Sequence, residues 1–240
     1  MKPIAVAIIC KTPIAGKSKT RLSPPLRPEE CAAISSCFIR DLSQTIQSVA
    51  DDGGAVGYAV YTPFGSETAL LRLLPEPFKL ALQGEGDLGA RLLKGTADLL
   101  DAGYAGAILV NSDSPTLPKA ILREAIDAVR QGDNVVLSPA IDGGYTLVGL
   151  SRPHAGLFSE MPWSTEAVYR LTLDRAAKLG LPVVNVSGWY DVDDAASFRM
   201  LEDEVDGIRP SFAAAHLISG DAPATRQFML DRRNEFLKRA

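Results

Sequence analysis

Apolar residues in this chain come in short blocks, and the spacing inside the blocks changes along the sequence. "PIAVAIIC" (3 to 10) is almost continuously apolar, the pattern of a strand buried on both faces of a parallel sheet. A polar loop follows. In "RPEECAAISSCFIRDLSQTIQSVADDGG", Cys31, Ile34, Phe38, Leu42, Ile46 and Val49 recur every three or four positions, which predicts an amphipathic helix. Pro28 suits its first turn, Glu29 and Glu30 complement its dipole, and Gly53 ends it.

The alternation then repeats. "AVGYAVYT" reads as strand, "SETALLRLL" as helix, "FKLALQ" as strand, "DLGARLLKGTADLLDAG" as helix and "GAILVNSD" as a further buried strand. Strands separated by helices predict a parallel sheet with right-handed crossovers. After the helix "KAILREAIDAVRQG" the rhythm breaks, because "NVVLSPA" and "YTLVGL" are joined only by "IDGG". So short a link cannot make a parallel crossover, so this pair is predicted antiparallel. A helix from about Thr165 to Leu179, a strand "PVVNVS" and a helix after "DVDD" complete the pattern. The fold class expected is therefore α/β, three layers (α/β/α), with a mostly parallel mixed sheet. One continuous domain over residues 1–206 is the simplest reading, with 207–240 as a C-terminal helical appendage of the same domain, used for packing or self-association.

Composition adds bounds. With 240 residues, 46% hydrophobic and 22% charged, the chain has the profile of a soluble globular protein. Its net charge of −4 implies no general attraction to nucleic acid or anionic membrane. Cys10, Cys31 and Cys37 lack CxxC spacing, so neither a disulfide framework nor a zinc site is indicated. His154 and His216 lie in no catalytic motif. No run reaches about 18 apolar residues, and the start shows no signal-peptide pattern, so a cytoplasmic location is expected.

Charge is unevenly placed: Lys2, Lys11, Lys17, Lys19, Arg21 and Arg27 precede the first acid, Glu29. Four of these lie in "CKTPIAGKSKTRL", which looks at first like a P-loop. Gly16-Lys17-Ser18 supplies its second half, but Lys11 stands where the first glycine belongs, and Pro24, Pro25 and Pro28 interrupt any helix after Ser18. Ligands of an open parallel sheet bind beyond the carboxyl ends of its strands. "KTPIAGKSKTR", "QGEGDLG", "NSDSP" and "DVDD" each follow a predicted strand, so four polar clusters are expected on one edge. The small residues around Gly16 let backbone N–H groups approach an anion while Lys17, Lys19 and Arg21 supply charge, so polyphosphate is the natural partner; a flexible lysine-rich surface loop is the plainer alternative.

Asp113 ends a buried strand, where a lone carboxylate is costly without a cation or donors. A divalent metal would resolve that cost, as would a role as cap of the next turn. In "DVDD", Asp194 reads as a helix cap, leaving Asp191 and Asp193 for the crevice. "DGGY" is either a hairpin turn or, through Asp142, a base or an acceptor for substrate hydroxyls. Trp163 in "MPWST" is either core or a stacking surface for a sugar or base.

Taken together, "KTPIAGKSKTRL", "GDLGARL", "NSDSPTLP", "SPAIDGGYTLVGL", "MPWST" and "DVDD" resemble a bacterial family of GT-A-type glycosyltransferases, some linked to arsenosugar biosynthesis. They run in order over about three quarters of the chain. More distant similarity extends to nucleotidyltransferases that make activated sugars, molybdenum cofactor or guanylylated phospholactate. The resemblance implies the nucleotide-diphospho-sugar transferase (GT-A) fold and a nucleotide bound by Lys11, Thr12, Pro13, Gly16, Lys17, Lys19, Thr20 and Arg21, with Asp87, Gly89 and Asn111. It implies a divalent metal, Mg2+ or Mn2+, on Asp113 and Asp193. Gly143, Gly144, Tyr145, Trp163, Ser164 and Thr165 would meet substrate, and Asp113, Asp142 and Asp191 would serve catalysis. Asn111 stands where many relatives carry the first Asp of the metal motif. The expected partners are a nucleotide or nucleotide-sugar and a small-molecule acceptor. The readings are a metal-dependent glycosyltransferase, a nucleotidyltransferase releasing pyrophosphate, or a nucleotide-binding regulator without turnover.

Overall fold

A computed structural model describes residues 2–239. Seven strands form one sheet: β1 (Ile4–Lys11), β2 (Ala55–Thr62), β3 (Lys79–Leu82), β4 (Gly106–Asn111), β5 (Val135–Pro139), β6 (Tyr145–Leu150) and β7 (Val183–Asn185). Their order across the sheet is β3-β2-β1-β4-β6-β5-β7. β1 pairs in parallel with β2 and β4, and β5 with β7, whereas β6 runs antiparallel to both β4 and β5. The five-residue link after β5 (140–144) can only fold the chain back as a hairpin, and that single reversal makes the sheet mixed.

Among the described residues seven α-helices accompany the strands, the last two following β7: α1 (Pro28–Asp51), α2 (Glu67–Leu71), α3 (Leu88–Asp101), α4 (Lys119–Val129), α5 (Val168–Lys178), α6 (Ala195–Val205) and α7 (Pro223–Arg239). The two-fold alternation of β1 assigns its sides. Ile4, Val6, Ile8 and Cys10 join α1, α4 and α6 in one buried cluster, while Ala5 and Ala7 face Leu92 and Leu99 of α3 and Ala176 of α5 in another. That is the three-layer arrangement. Each fully buried Ile or Leu contributes about 1.5–3 kcal/mol relative to exposure, so a strand apolar on both faces is held from both sides.

Element edges differ from the sequence expectations in physical ways. α5 starts at Val168 rather than Thr165, because Ser164 takes φ +63 and the Thr165 hydroxyl donates to Pro162 O at 2.8 Å, a turn that delays the helix. α2 ends at Leu71, short of Leu74.

The C-terminal segment is tied down. Asp41 of α1, 2% exposed, accepts hydrogen bonds from the backbone N–H of Ala224 (2.9 Å) and Thr225 (2.8 Å) and so caps α7 from another helix. Arg226 donates to Val205 O at 2.7 Å, and Arg233 pairs with Asp206 at 2.6 Å. Asp41→Ala is expected to cost about 1–2 kcal/mol, seen as a melting temperature lower by about 2–4 °C per kcal/mol. An unchanged melting temperature would show that α7 docks without this cap.

Candidate active site

β1 ends at Lys11, and the next α-helix starts only at Pro28. The loop between is built by its own backbone. Lys17 N and Ser18 N both donate to Ile14 O (3.0 and 3.1 Å), and Ile14 N donates to the Ser18 hydroxyl at 3.0 Å. Gly16 takes φ +73 at the tip of this turn, a conformation that only glycine enters freely. Thr12 anchors the loop to β2 through its N–H to Thr62 O (2.8 Å), and its hydroxyl meets that of Ser66 at 2.7 Å. Pro13 is half-buried beside it.

Past that turn lies the feature that organises the site. Lys19 adopts φ +48, and its side chain is only 8% exposed. All three ammonium hydrogens are placed: Asp113 Oδ2, Asp193 Oδ1 and the carbonyl of Val192 each lie 2.8 Å from Nζ. Burial works against the Lys19 charge, but the charges and hydrogen bonds of Asp113 and Asp193 outweigh it and raise its pKa. Burial likewise opposes ionisation of Asp193, yet Lys19 and then Arg21, 2.5 Å from Asp193 Oδ2, hold its carboxyl below the usual range.

Elements far apart in sequence thus meet. Asp113 follows β4, and its carbonyl accepts from Val192 N at 2.9 Å, pinning the 191–194 segment against the end of that strand. Asp194 caps α6 by accepting from Ala196 N (2.9 Å) and Ser197 N (2.8 Å), while Asp193 N donates to the Ser197 hydroxyl. Asn111 shapes its own loop: Oδ1 accepts from Asp113 N (3.3 Å) and the Ser114 hydroxyl (3.0 Å). Asp191 is half-buried; burial and then the carboxylates of Asp142, Asp193 and Asp113 push its pKa up to about 7.

Lys11, Lys17, Ser18, Lys19, Thr20, Arg21, Ser35, Ser112, Asp113 and Asp193 line a cavity of about 250 Å³. A second, of about 260 Å³, shares Lys11, Ser112 and Asp113 with it and continues over Thr62, Gln83, Arg91, Asn111 and Tyr145. A larger hollow of about 700 Å³, between the start of α1 and α7, lies away from these strand ends and is lined by Arg27, Glu30, Arg232 and Phe236.

Other residues singled out from the sequence have structural employment. Asp87 caps α3 by accepting from Ala90 N at 2.9 Å. Gly89 lies within α3, where an added Cβ would sit 2.6 Å from Phe158 O and 3.1 Å from the Trp163 ring. Trp163 accordingly packs on the apolar cluster beside α3 and lines neither site cavity. Ser164 and Thr165 form the turn before α5. In the hairpin, Asp142 accepts from Gly144 N at 2.9 Å, and Gly143 O accepts from Tyr169 N at 2.9 Å.

Gln83 was passed over among the sequence candidates. Its side-chain amide donates to Cys10 O and Val60 O, both at 2.9 Å, bracing β1 and β2 at the wall of the second cavity. Its place right after β3 was the available signal. Arg91 stands in the motif-like "GDLGARL" segment without a role assigned to it, and Ser35, on a face of α1, stands in no motif.

Residues 45–165 match the family described as "Uncharacterized protein conserved in bacteria (DUF2064)". The chain belongs to this family. The matched region of this DUF2064 member holds the Asn111–Asp113 loop and the hairpin; the cationic loop and Asp193 lie outside it. No curated protein matches the chain. Among solved structures, a provisionally assigned nucleotide-diphospho-sugar transferase from Desulfovibrio desulfuricans is similar. It is 25% identical at TM-score 0.79, with 100% of this chain and 98% of that chain covered. CMP:2-keto-3-deoxy-manno-octonic acid synthetase complexed with CTP shares the fold at 11% identity and TM-score 0.55, with 85% of this chain and 99% of that chain covered. The 4-diphosphocytidyl-2C-methyl-D-erythritol synthase of Anaerococcus prevotii does so at 11% identity and TM-score 0.56, with 85% and 99% covered. The fold is that of nucleotide-handling transferases.

Gly143 tests how firmly the hairpin is set. It takes φ +89, and a Cβ there would lie 2.3 Å from Glu166 O. Gly143→Ala is expected to destabilise the protein by roughly 2 kcal/mol or more through strain and backbone overlap, read by denaturant unfolding; a change under about 0.5 kcal/mol would mean the hairpin shifts freely.

Proposed function

We propose that this DUF2064 member is a nucleotide-diphospho-sugar transferase that moves a sugar from a nucleoside-diphospho-sugar to a small-molecule acceptor, with a divalent cation. One observation carries this reading: Lys11, Lys17 and Arg21 of the first loop share a single cavity with Ser112, Asp113 and Asp193 at the strand ends. Its support from outside the chain is the 25% identity, over the whole length, to the Desulfovibrio protein assigned to that class.

The chemistry is charge management. In glycosyl transfer the acceptor oxygen bonds to the anomeric carbon, the bond from that carbon to the diphosphate oxygen breaks, and the nucleoside diphosphate leaves with the electron pair. Lys11, Lys17 and Arg21 would hold the diphosphate and stabilise the charge it gains. Loop N–H groups near Gly16 and the hydroxyl of Thr20 would add hydrogen bonds. Asp191 or Asp142 would take the acceptor proton. Asp113 and Asp193 offer hard oxygen donors converging on one cationic centre, each 2.8 Å from Lys19 Nζ, a set that suits Mg2+ or Mn2+ completed by phosphate oxygens and water. Such an ion, when bound, would supply positive charge to the leaving diphosphate.

A second reading is nucleotidyl transfer, in which a phosphorylated acceptor attacks the α-phosphate of a nucleoside triphosphate and pyrophosphate leaves. The concentration of Lys11, Lys17, Lys19 and Arg21 on one loop favours it, since a triphosphate carries more charge to neutralise. The released product separates the two: nucleoside diphosphate for the first, pyrophosphate for the second.

A thermal-shift screen of nucleotides and nucleotide sugars, with and without Mn2+, is the first test. A nucleotide or nucleotide sugar at about 100 times its Kd stabilises the protein by about 2.7 kcal/mol, and Lys17→Ala is expected to weaken that ligand about tenfold. Lys17 is exposed, so its removal leaves the fold intact. No shift with any nucleotide or nucleotide sugar would overturn the reading.

A further inference from the structure

The sequence suggests that Lys19 neutralises phosphate and that Asp113 and Asp193 hold a metal, but the structure joins these three to one another. The Lys19 ammonium lies 2.8 Å from an oxygen of each carboxylate. It therefore fills the point where both carboxylates converge. Its third hydrogen is taken by Val192 O at 2.8 Å, so no donor is left for a phosphate while it stays there.

We infer that Lys19 is an exchangeable internal cation: it holds Asp113 and Asp193 together in the free protein and is displaced from them by the divalent ion. This rests on the metal-dependent reading above. Three observations carry it. An ammonium and a metal ion cannot share one position, so occupancy by either excludes the other. The two carboxylates come from loops far apart in sequence, and without a cation between them they would repel. Arg21 binds the other oxygen of Asp193 from a largely exposed position, so it remains as counter-charge when Lys19 leaves.

The exit is short. Lys19 lines the same cavity as Lys11, Lys17 and Thr20, so a rotation of its side chain off the carboxylates turns the ammonium toward a bound phosphate. Its φ of +48 is a conformation few non-glycine residues adopt. Arrival of the metal with a nucleotide would thus move one positive charge from the carboxylates to the phosphates.

The test uses Mn2+ alone, with no nucleotide, titrated into the metal-free full chain and followed by the electron paramagnetic resonance signal of free Mn2+. Lys19→Met removes the charge and keeps most of the volume, and is expected to bind Mn2+ about tenfold tighter or more than the native protein. Lys19→Arg keeps the charge and should show no gain. Adding Asp193→Asn to Lys19→Met should abolish the gain. Without metal, Lys19→Met should melt lower than the native protein, and Mn2+ should raise its melting temperature more than that of the native chain. Lys19→Gln replaces Lys19→Met if the latter fails to fold. Equal or weaker Mn2+ binding by the folded neutral variant overturns the exchange. Because no nucleotide is present, this result stands apart from the nucleotide screen, whose failure would strike the transferase reading alone.

Discussion

Four loops converge beyond the carboxyl ends of the strands, and the Lys19 ammonium is the joint between the first of them and the last. It contacts Asp113, Asp193 and Val192 at 2.8 Å each. Without it the edge would place Asp113, Asp191 and Asp193 together in partly buried surroundings, a costly arrangement of like charges. The cost is visible at Asp191, the member that Lys19 does not contact, whose pKa rises to about 7 through burial and its acidic neighbours. Asp193, which Lys19 does contact, goes the opposite way. Two carboxyls two residues apart thus differ in proton affinity, Asp191 raised by burial and like charges and Asp193 lowered by Lys19 and Arg21.

Much of the scaffold behind this joint is legible in the sequence, because it follows from local rules. The continuous apolar run of β1, the helical spacing of α1 and the five-residue link between β5 and β6 each have one physical solution. Strand direction then places the loops that follow the parallel strands on one edge and the loop after the antiparallel β6 on the other. The mixed sheet is a consequence of that one short link.

The site is legible only as a set of segments. The pairings within it join positions 19, 113 and 193, and nothing local distinguishes a lysine aimed at phosphate from one folded back onto carboxylates. That choice depends on the left-handed conformation of Lys19 and on the distance between two loop ends, both properties of the folded chain. Asp41 is a parallel case: within α1 it looks like an ordinary polar position, and only the return of residues 224 and 225 makes it a cap. Asp87 and Gly89 carry structural tasks that their motif does not announce. They stand in a motif-like segment, but the first is occupied as a helix cap and the second as a close-packing point for Phe158 and Trp163.

These occupations bear on what a transferase of this fold must do when it meets its ligand. Lys11, Lys17 and Arg21 face the cavity and require no rearrangement to meet a phosphate, apart from the contact of Arg21 with Asp193. Lys19 does require one. Under the exchange proposed above, a loop with some cations already exposed and one held in reserve would bind the phosphates in two stages: first attraction by the free charges, then delivery of the last charge as the carboxylates take up the metal. The half-buried carboxylate pair would then be neutralised before and after that step by different cations, so the site would never carry two bare carboxylates. That continuity of charge is the physical reason an acidic edge of this density is compatible with a stable fold in the absence of ligand.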